Sequence, residues 1–166
     1  MKILLAVSDR FFGDALVDFA LQHHWQDDAQ YKLVKAIMPV EKQPGANAED
    51  RQISFEEELN LATELLNKLC GTLRNQRQKA DVSFEVLVNS PARAVVEYAK
   101  TWPADLIILG AHEQSNFERL LLGSVSRFIA EHAPCSLSIV RIPNDQALDF
   151  NLEEAEVLEE LGISAS

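Results

Sequence analysis

The stretch LIILGAHEQSNFERLLLGSVS, residues 106–126, decides the fold class. Its first four residues are all apolar, as is typical of a strand buried on both faces of a sheet. Gly110 ends that strand, a polar loop follows, and Gly123 opens a helix. In an open α/β sheet, this arrangement brings a loop to the carboxyl edge, where ligands bind, and offers helix N–H groups to an anion. The stretch predicts an anion site, although Glu113 puts a negative charge within it.

The remaining sequence alternates predicted strands and helices in the same way. Strands are predicted at Ile3–Val7, Lys32–Val40, Val82–Val88, Leu106–Leu109 and Ser136–Ile142, and helices at 12–24, 53–78, 92–100 and from 123 or 124. Residues 41–52 are predicted to form a loop. Strands that alternate with helices favour a mostly parallel sheet with helices on both faces. We therefore expect a single-domain, doubly wound α/β fold with a five-stranded sheet.

Length and composition indicate an ordinary globular domain. The chain has 166 residues, of which 47% are hydrophobic and 25% charged. No run has the length of a membrane span, and the apolar start is too short for a signal peptide, so the expected location is the cytoplasm. Cys70 and Cys135 are too few for a disulfide framework, and neither belongs to a CxxC motif.

The charge of −11 is concentrated at the carboxyl end. Residues 143–166 contain seven acidic residues and no Lys or Arg, which sets an acidic extension apart from a domain at 1–142. No clustered basic face is evident, so nucleic acid is not an expected partner. Part of the extension is apolar, and we expect that part to dock on the domain or on a second copy of it.

No sequence motif indicates an enzyme. The chain lacks GxSxG, a Walker lysine loop, and any nucleophile with a base at informative spacing. His112 beside Glu113 provides too few ligands for a metal site. The chain is therefore expected to act by binding, without catalytic residues.

Three segments resemble the universal stress protein family, across roughly residues 1–142: KILLAVSD, NSPARAVVEYAK and ADLIILGAHEQSNFERLLLGSVSRFIAEHAPCSLSIVR. The resemblance implies a parallel sheet with strand order 3-2-1-4-5. It also implies a homodimer, often through the last strand, here Ser136 to Ile142, which lies at a sheet edge and so invites pairing. Some family members bind ATP between strands 1 and 4, whereas others bind no nucleotide.

The resemblance also implies which residues would bind ATP or another adenine nucleotide. Magnesium is expected only together with a bound nucleotide. These candidates are Val7, Ser8, Asp9, Ile37, Leu109, Gly110, Glu113, Gly123, Ser124, Val125 and Ser126. Gly110 and Gly123 match the family's loop glycines, but Glu113 replaces another glycine, and Ser8 stands where the family has aspartate. One like charge ~4 Å from a phosphate costs ~4 kcal/mol at an effective dielectric constant of ~20.

Two functions lead on this basis, and a weaker third is an enzyme of the wider nucleotide-binding α/β group that uses His112 or Glu113. In the first, the chain is a dimeric stress-response binding module in which nucleotide binding is weak or lost because of Glu113. In the second, it is an adenine-nucleotide sensor with at most slow hydrolysis, in which a divalent metal bridges Glu113 and phosphate. The matching glycines also have a purely structural interpretation as turn and cap residues.

Overall fold

The computed structural model describes residues 1–112 and 123–142. Its elements are β1 (Lys2–Ala6), α1 (Arg10–Gln22), β2 (Gln30–Ile37), a 3-10 turn (Val40–Lys42), α2 (Ala48–Gln76), β3 (Asp81–Val88), α3 (Pro91–Thr101), β4 (Leu106–His112), α4 (Ser124–His132) and β5 (Ser136–Ile142). The five strands form one parallel sheet in the order β3-β2-β1-β4-β5. The predicted fold class and strand order are confirmed.

Two hydrophobic layers cover the two faces of this sheet. Leu5 and Leu33 belong to the layer beneath α1 and α2, whereas Leu4 and Val34 belong to the layer beneath α3 and α4. All four side chains are fully buried. Because successive side chains of a strand point to opposite faces, each apolar run supplies both layers. The sheet is therefore doubly wound, with its central strands shielded on both sides.

Helix α2 begins five residues earlier than the sequence predicts. The Asn47 side chain accepts a hydrogen bond from the Asp50 N–H at 2.9 Å, which caps the helix before Ala48. Asn is a favoured N-cap residue because its oxygen satisfies a free N–H of the first turn. The prediction of a loop through residue 52 is therefore wrong for its last five residues.

Arg77 ties the ends of two helices together at the amino-terminal edge of the sheet. Its guanidinium donates to the carbonyl oxygens of Leu21 at 2.9 Å and His23 at 2.7 Å, at the end of α1. The backbone N–H of the same residue caps α2 on the Leu73 carbonyl oxygen at 2.9 Å. One side chain thus satisfies carbonyl groups that a helix end leaves without partners.

The opposite, carboxyl edge carries the turns that shape the candidate site. Asp9 caps α1 by accepting from the Phe12 N–H at 2.9 Å, as Ser8-Asp9 predicts. Strand β4 continues to His112 and pairs with β5 along its whole length. Glu113 and the extension 143–166 lie outside the described residues. Within the described ranges, no helix is long and apolar enough to cross a membrane.

Candidate functional site

A cavity of about 480 Å³ opens at the carboxyl ends of β1, β2 and β4. Its volume lies in the range of roughly 300–1,000 Å³ that is usual for small-molecule sites. The lining comes from all three strands, α1, α3 and the start of α4: Ala6, Val7, Ser8, Asp9, Phe12, Val34, Lys35, Ala36, Pro91, Val95, Leu109, Gly110, Ala111, Gly123, Val125, Ser126 and Ile129. Most of this lining is apolar, so the few polar groups determine how a ligand would be oriented.

Gly110 and Phe12 form one wall of the cavity by close packing. A Cβ atom placed on Gly110 would lie 2.0 Å from Phe12 Cδ1 and 2.6 Å from Cε1. The Phe12 side chain is buried, and helix α1 holds it in place. Gly110 is therefore needed for the approach of α1 to β4, whether or not a ligand binds.

Gly123 has a different relation to its surroundings. Its φ of −59° is one that any residue adopts, and an added Cβ would meet no described atom within 4 Å. Neither backbone conformation nor packing against the described residues requires a glycine there. Gly123 and Ser126 line the cavity, so the N-terminus of α4 lies at its wall, where the N–H groups of a first helical turn and the helix dipole favour an anion.

Lys35 brings a positive charge to the β2 side of the cavity. Its ammonium group donates to the backbone carbonyl oxygen of Ser8, while the Ser8 hydroxyl donates to Asp9 Oδ2 at 3.0 Å. Burial lowers the pKa of Lys35, and the nearby carboxylates of Glu58 and Asp9 oppose that shift. Lys35 is thus a partly desolvated cation, and Glu58 and Asp9 favour its charged form.

The cavity brings together most of the residues that the sequence nominates. Eight of them line it: Val7, Ser8, Asp9, Leu109, Gly110, Gly123, Val125 and Ser126. Ser124 begins α4 without lining the cavity. Ile37 is buried with 1% exposure and also lies outside the lining, where β2 contributes Lys35 and Ala36 instead.

Sequence reasoning missed Lys35 and Phe12 as lining residues. Lys35 interrupts the apolar run of β2 between Val34 and Ala36, and a charge in a strand buried on both faces was the available signal. Phe12 gave no such signal, because an aromatic residue on an amphipathic helix is ordinary. As for metals, no three His, Cys, Asp or Glu residues cluster suitably in the part of the chain described.

Comparison with known proteins identifies the relatives of this chain. The model of the universal stress protein family matches residues 1–141. Universal stress protein A homolog 2 of Coxiella burnetii is 29% identical over 144 residues, which are 85% of this chain and 94% of that protein. Universal stress protein Sll1388 of Synechocystis is 33% identical over 87 residues, or 52% of this chain. The match to Sll1388 spans only 55% of that relative's length.

Solved structures share the fold at low sequence identity. A universal stress protein in complex with cAMP has a TM-score of 0.60 at 21% identity, covering 85% of this chain and 96% of that one. A family protein from Arabidopsis thaliana with AMP bound has a TM-score of 0.56 at 14% identity, covering 88% and 94%. These likenesses establish the architecture alone. Because the family model matches most of the chain, the protein belongs to the universal stress protein family.

Proposed function

We propose that this chain is a dimeric stress-response binding module whose cavity takes an adenine nucleotide weakly. The observation that carries the proposal is the cavity at the carboxyl edge of β1 and β4, open to the N-terminus of α4. This is where doubly wound sheets bind ligands, and the helix start suits a phosphate. Related structures hold cAMP, AMP and dAMP.

The described residues fit a nucleotide in chemistry as well as size. Val125 is 41% exposed although it is apolar, and with Val95 and Leu109 it offers an apolar surface to a base or sugar. Among the described residues, no atom lies within 4 Å of a Cβ added at Gly123, and the N–H groups at the start of α4 suit phosphate oxygens. A magnesium ion would arrive only with the phosphates, since nucleotide sites hold it by one or two carboxylates plus phosphate.

Weak affinity is the part of the proposal that depends on Glu113. A carboxylate in the loop before α4 opposes a phosphate at that helix end, by ~4 kcal/mol for a separation of ~4 Å. The test is calorimetry of the full chain with AMP, cAMP and magnesium–ATP. Glu113→Gln should tighten nucleotide binding by at least about tenfold, which is ~1.4 kcal/mol, because it removes the charge but retains most of the bulk.

Glu131→Gln is the matched control, since it removes one acidic charge from the exposed surface of α4. It should change affinity less than about twofold, because exposed charges are screened by salt. Equal gains for Glu113→Gln and Glu131→Gln would contradict a local effect. Absence of binding by the parent and by Glu113→Gln would remove the nucleotide from the proposed function.

The size of the cavity also favours a second candidate, an ATP sensor with at most slow hydrolysis. In that case Glu113 would act through magnesium, so Glu113→Gln would weaken the binding of magnesium–ATP. The two candidates therefore predict opposite signs for one measurement, and metal-free AMP separates them further because it needs no bridging ion.

A further inference from the structure

Two lysines and one tryptophan form a cationic patch at the amino edge of the sheet. Lys2 begins β1, and Lys32 pairs on β2 with Leu4, which belongs to the layer beneath α3 and α4. Trp102 follows the last residue of α3 and packs against the same layer. The ammonium groups of Lys2 and Lys32 lie 5.4 Å and 6.0 Å from the centroid of its ring. These three residues are called the Lys–Trp patch below.

The two positive charges of this patch are not neutralised within the described part of the chain. Neither ammonium group takes part in an ion pair there. The Asp105 carboxylate accepts from the backbone N–H of Lys2 at 2.7 Å, and the Glu85 carboxylate accepts from the Tyr98 hydroxyl at 2.7 Å. A cation–π contact contributes only about 0.5–1 kcal/mol at an exposed site and leaves the charge in place. A carboxylate brought to the patch would therefore be attracted by both lysines.

The extension 143–166 has a composition complementary to the Lys–Trp patch. It contains seven acidic residues and no Lys or Arg. Its apolar residues stand among the acids, as in Glu156-Val157-Leu158-Glu159. Such a segment supplies carboxylates for the ammonium groups and apolar side chains for the ring of Trp102, which is half-buried.

The extension is also long enough to reach the patch. Ile142 ends β5 at the carboxyl edge, and the seven residues of this strand extend over ~23 Å. Strand β1 lies two strands away from β5, which adds ~10 Å across the sheet. The direct distance is therefore ~25 Å, which about eight extended residues span at ~3.3 Å each. A path around α4 is longer, so the acids at 153–160 are within reach of the patch, whereas Asp145 is too close to β5.

From this arrangement we propose that the extension 143–166 docks on the Lys–Trp patch of its own chain, with carboxylates from residues 153–160 paired to Lys2 and Lys32. The patch lies at the edge of the sheet opposite the cavity, so the proposal does not depend on nucleotide binding. Because salt screens exposed charges, the docked state is favoured at low ionic strength, and a competing polycation displaces the extension.

Carbodiimide cross-linking of the full chain at low ionic strength tests this contact, because the reagent joins an amine to a carboxylate only where the two meet. The sample is an equal mixture of chains with natural and heavy nitrogen. Mass spectrometry should find Lys2 or Lys32 joined to a glutamate of residues 153–160, in peptides of uniform isotope composition. Peptides of mixed composition would place the extension on a second copy and overturn docking on its own chain. Links to other lysines alone, or no link to the extension, would overturn the patch as its site.

Trp102 provides a second measurement in a Trp25→Phe chain, where it is the one remaining tryptophan. Glutamine is substituted for every glutamate of residues 153–160: Glu153, Glu154, Glu156, Glu159 and Glu160. This variant should shift the emission of Trp102 to longer wavelength and increase its quenching by acrylamide, because the ring loses its cover. Lys2→Gln with Lys32→Gln should produce the same change, and combining both sets should add nothing further.

Lys42→Gln with Lys68→Gln is the matched control, since both lysines are exposed and lie outside the Lys–Trp patch. It removes the same charge and should leave the fluorescence of Trp102 unchanged. Identical quenching of Trp102 in the parent and in the variant without the five glutamates would overturn the proposal. A change of equal size in the control pair would also overturn it, since the effect would then come from net charge alone.

Discussion

Replacing Gly110 with alanine tests the packing that joins α1 to the central sheet. The new Cβ would lie 2.0 Å from Cδ1 and 3.1 Å from Cγ of Phe12. Cβ atoms in real structures essentially never come within 3.0 Å of another heavy atom, so the contact with Cδ1 is a clash. Phe12 is only 5% exposed, so its ring has little space in which to retreat. Overpacking of this kind costs about 1–3 kcal/mol.

The expected result for Gly110→Ala is a melting temperature lower by about 4–8 °C, taking ~2 kcal/mol and the usual ~2–4 °C per kcal/mol for a chain of this size. Phe12→Ala removes the three ring atoms that the new methyl group would meet. In that background, Gly110→Ala should be neutral or stabilising by up to about 1 kcal/mol, because glycine in a strand is intrinsically unfavourable.

The assay is chemical denaturation of the parent, both single variants and the double variant, evaluated as a double-mutant cycle. The coupling free energy should be about 2–3 kcal/mol, because removal of the Phe12 ring abolishes the clash that destabilises Gly110→Ala. An equal penalty for Gly110→Ala in both backgrounds would refute the argument, since the cost would then not come from Phe12. A penalty below about 0.5 kcal/mol in the parent would also refute it.

Two further expectations concern stability and assembly. Gly71 lies inside α2, and a Cβ added there would meet no described atom within 4 Å. Alanine favours a helix over glycine by ~1 kcal/mol, so Gly71→Ala should raise the melting temperature by about 2–4 °C. Gly13→Ala, whose Cβ would lie 2.5 Å from Leu69 Cδ1, should not share that gain. Strand β5 is an edge strand, and light scattering at micromolar concentration should show a dimer. Ile139→Pro should give monomer or insoluble protein because proline removes a ladder donor, and a monomeric parent would argue against this edge as the interface.

The fold was predictable because its evidence is local in the sequence. Apolar runs such as Leu106–Leu109 can be buried on both faces only in the middle of a parallel sheet covered by helices. The start of α2 was harder to locate. Asn47 follows Pro44 and Gly45, which are typical of a loop, and only the hydrogen bond from Asp50 shows that Asn47 is already the cap.

The candidate site was predictable in position but not in detail. Gly110 and Gly123 follow from the rule that ligands bind at the carboxyl edge, whereas Val7 was nominated through the family resemblance. The contribution of β2 could not be derived in this way, because Lys35 and Ile37 point to the same face of the strand and a shift of two residues decides which one lines the cavity. Which of these two residues lines the cavity depends on where the turns beside β2 end.

Arg77 has a consequence for how this fold accommodates change. It binds carbonyl groups at the end of α1 and also terminates α2, at the edge of the sheet farthest from the cavity. Substitutions among the cavity residues leave that connection untouched. The ligand that the cavity prefers can therefore differ between proteins that descend from one ancestor. Arg77 would continue to join the ends of α1 and α2 in each of them.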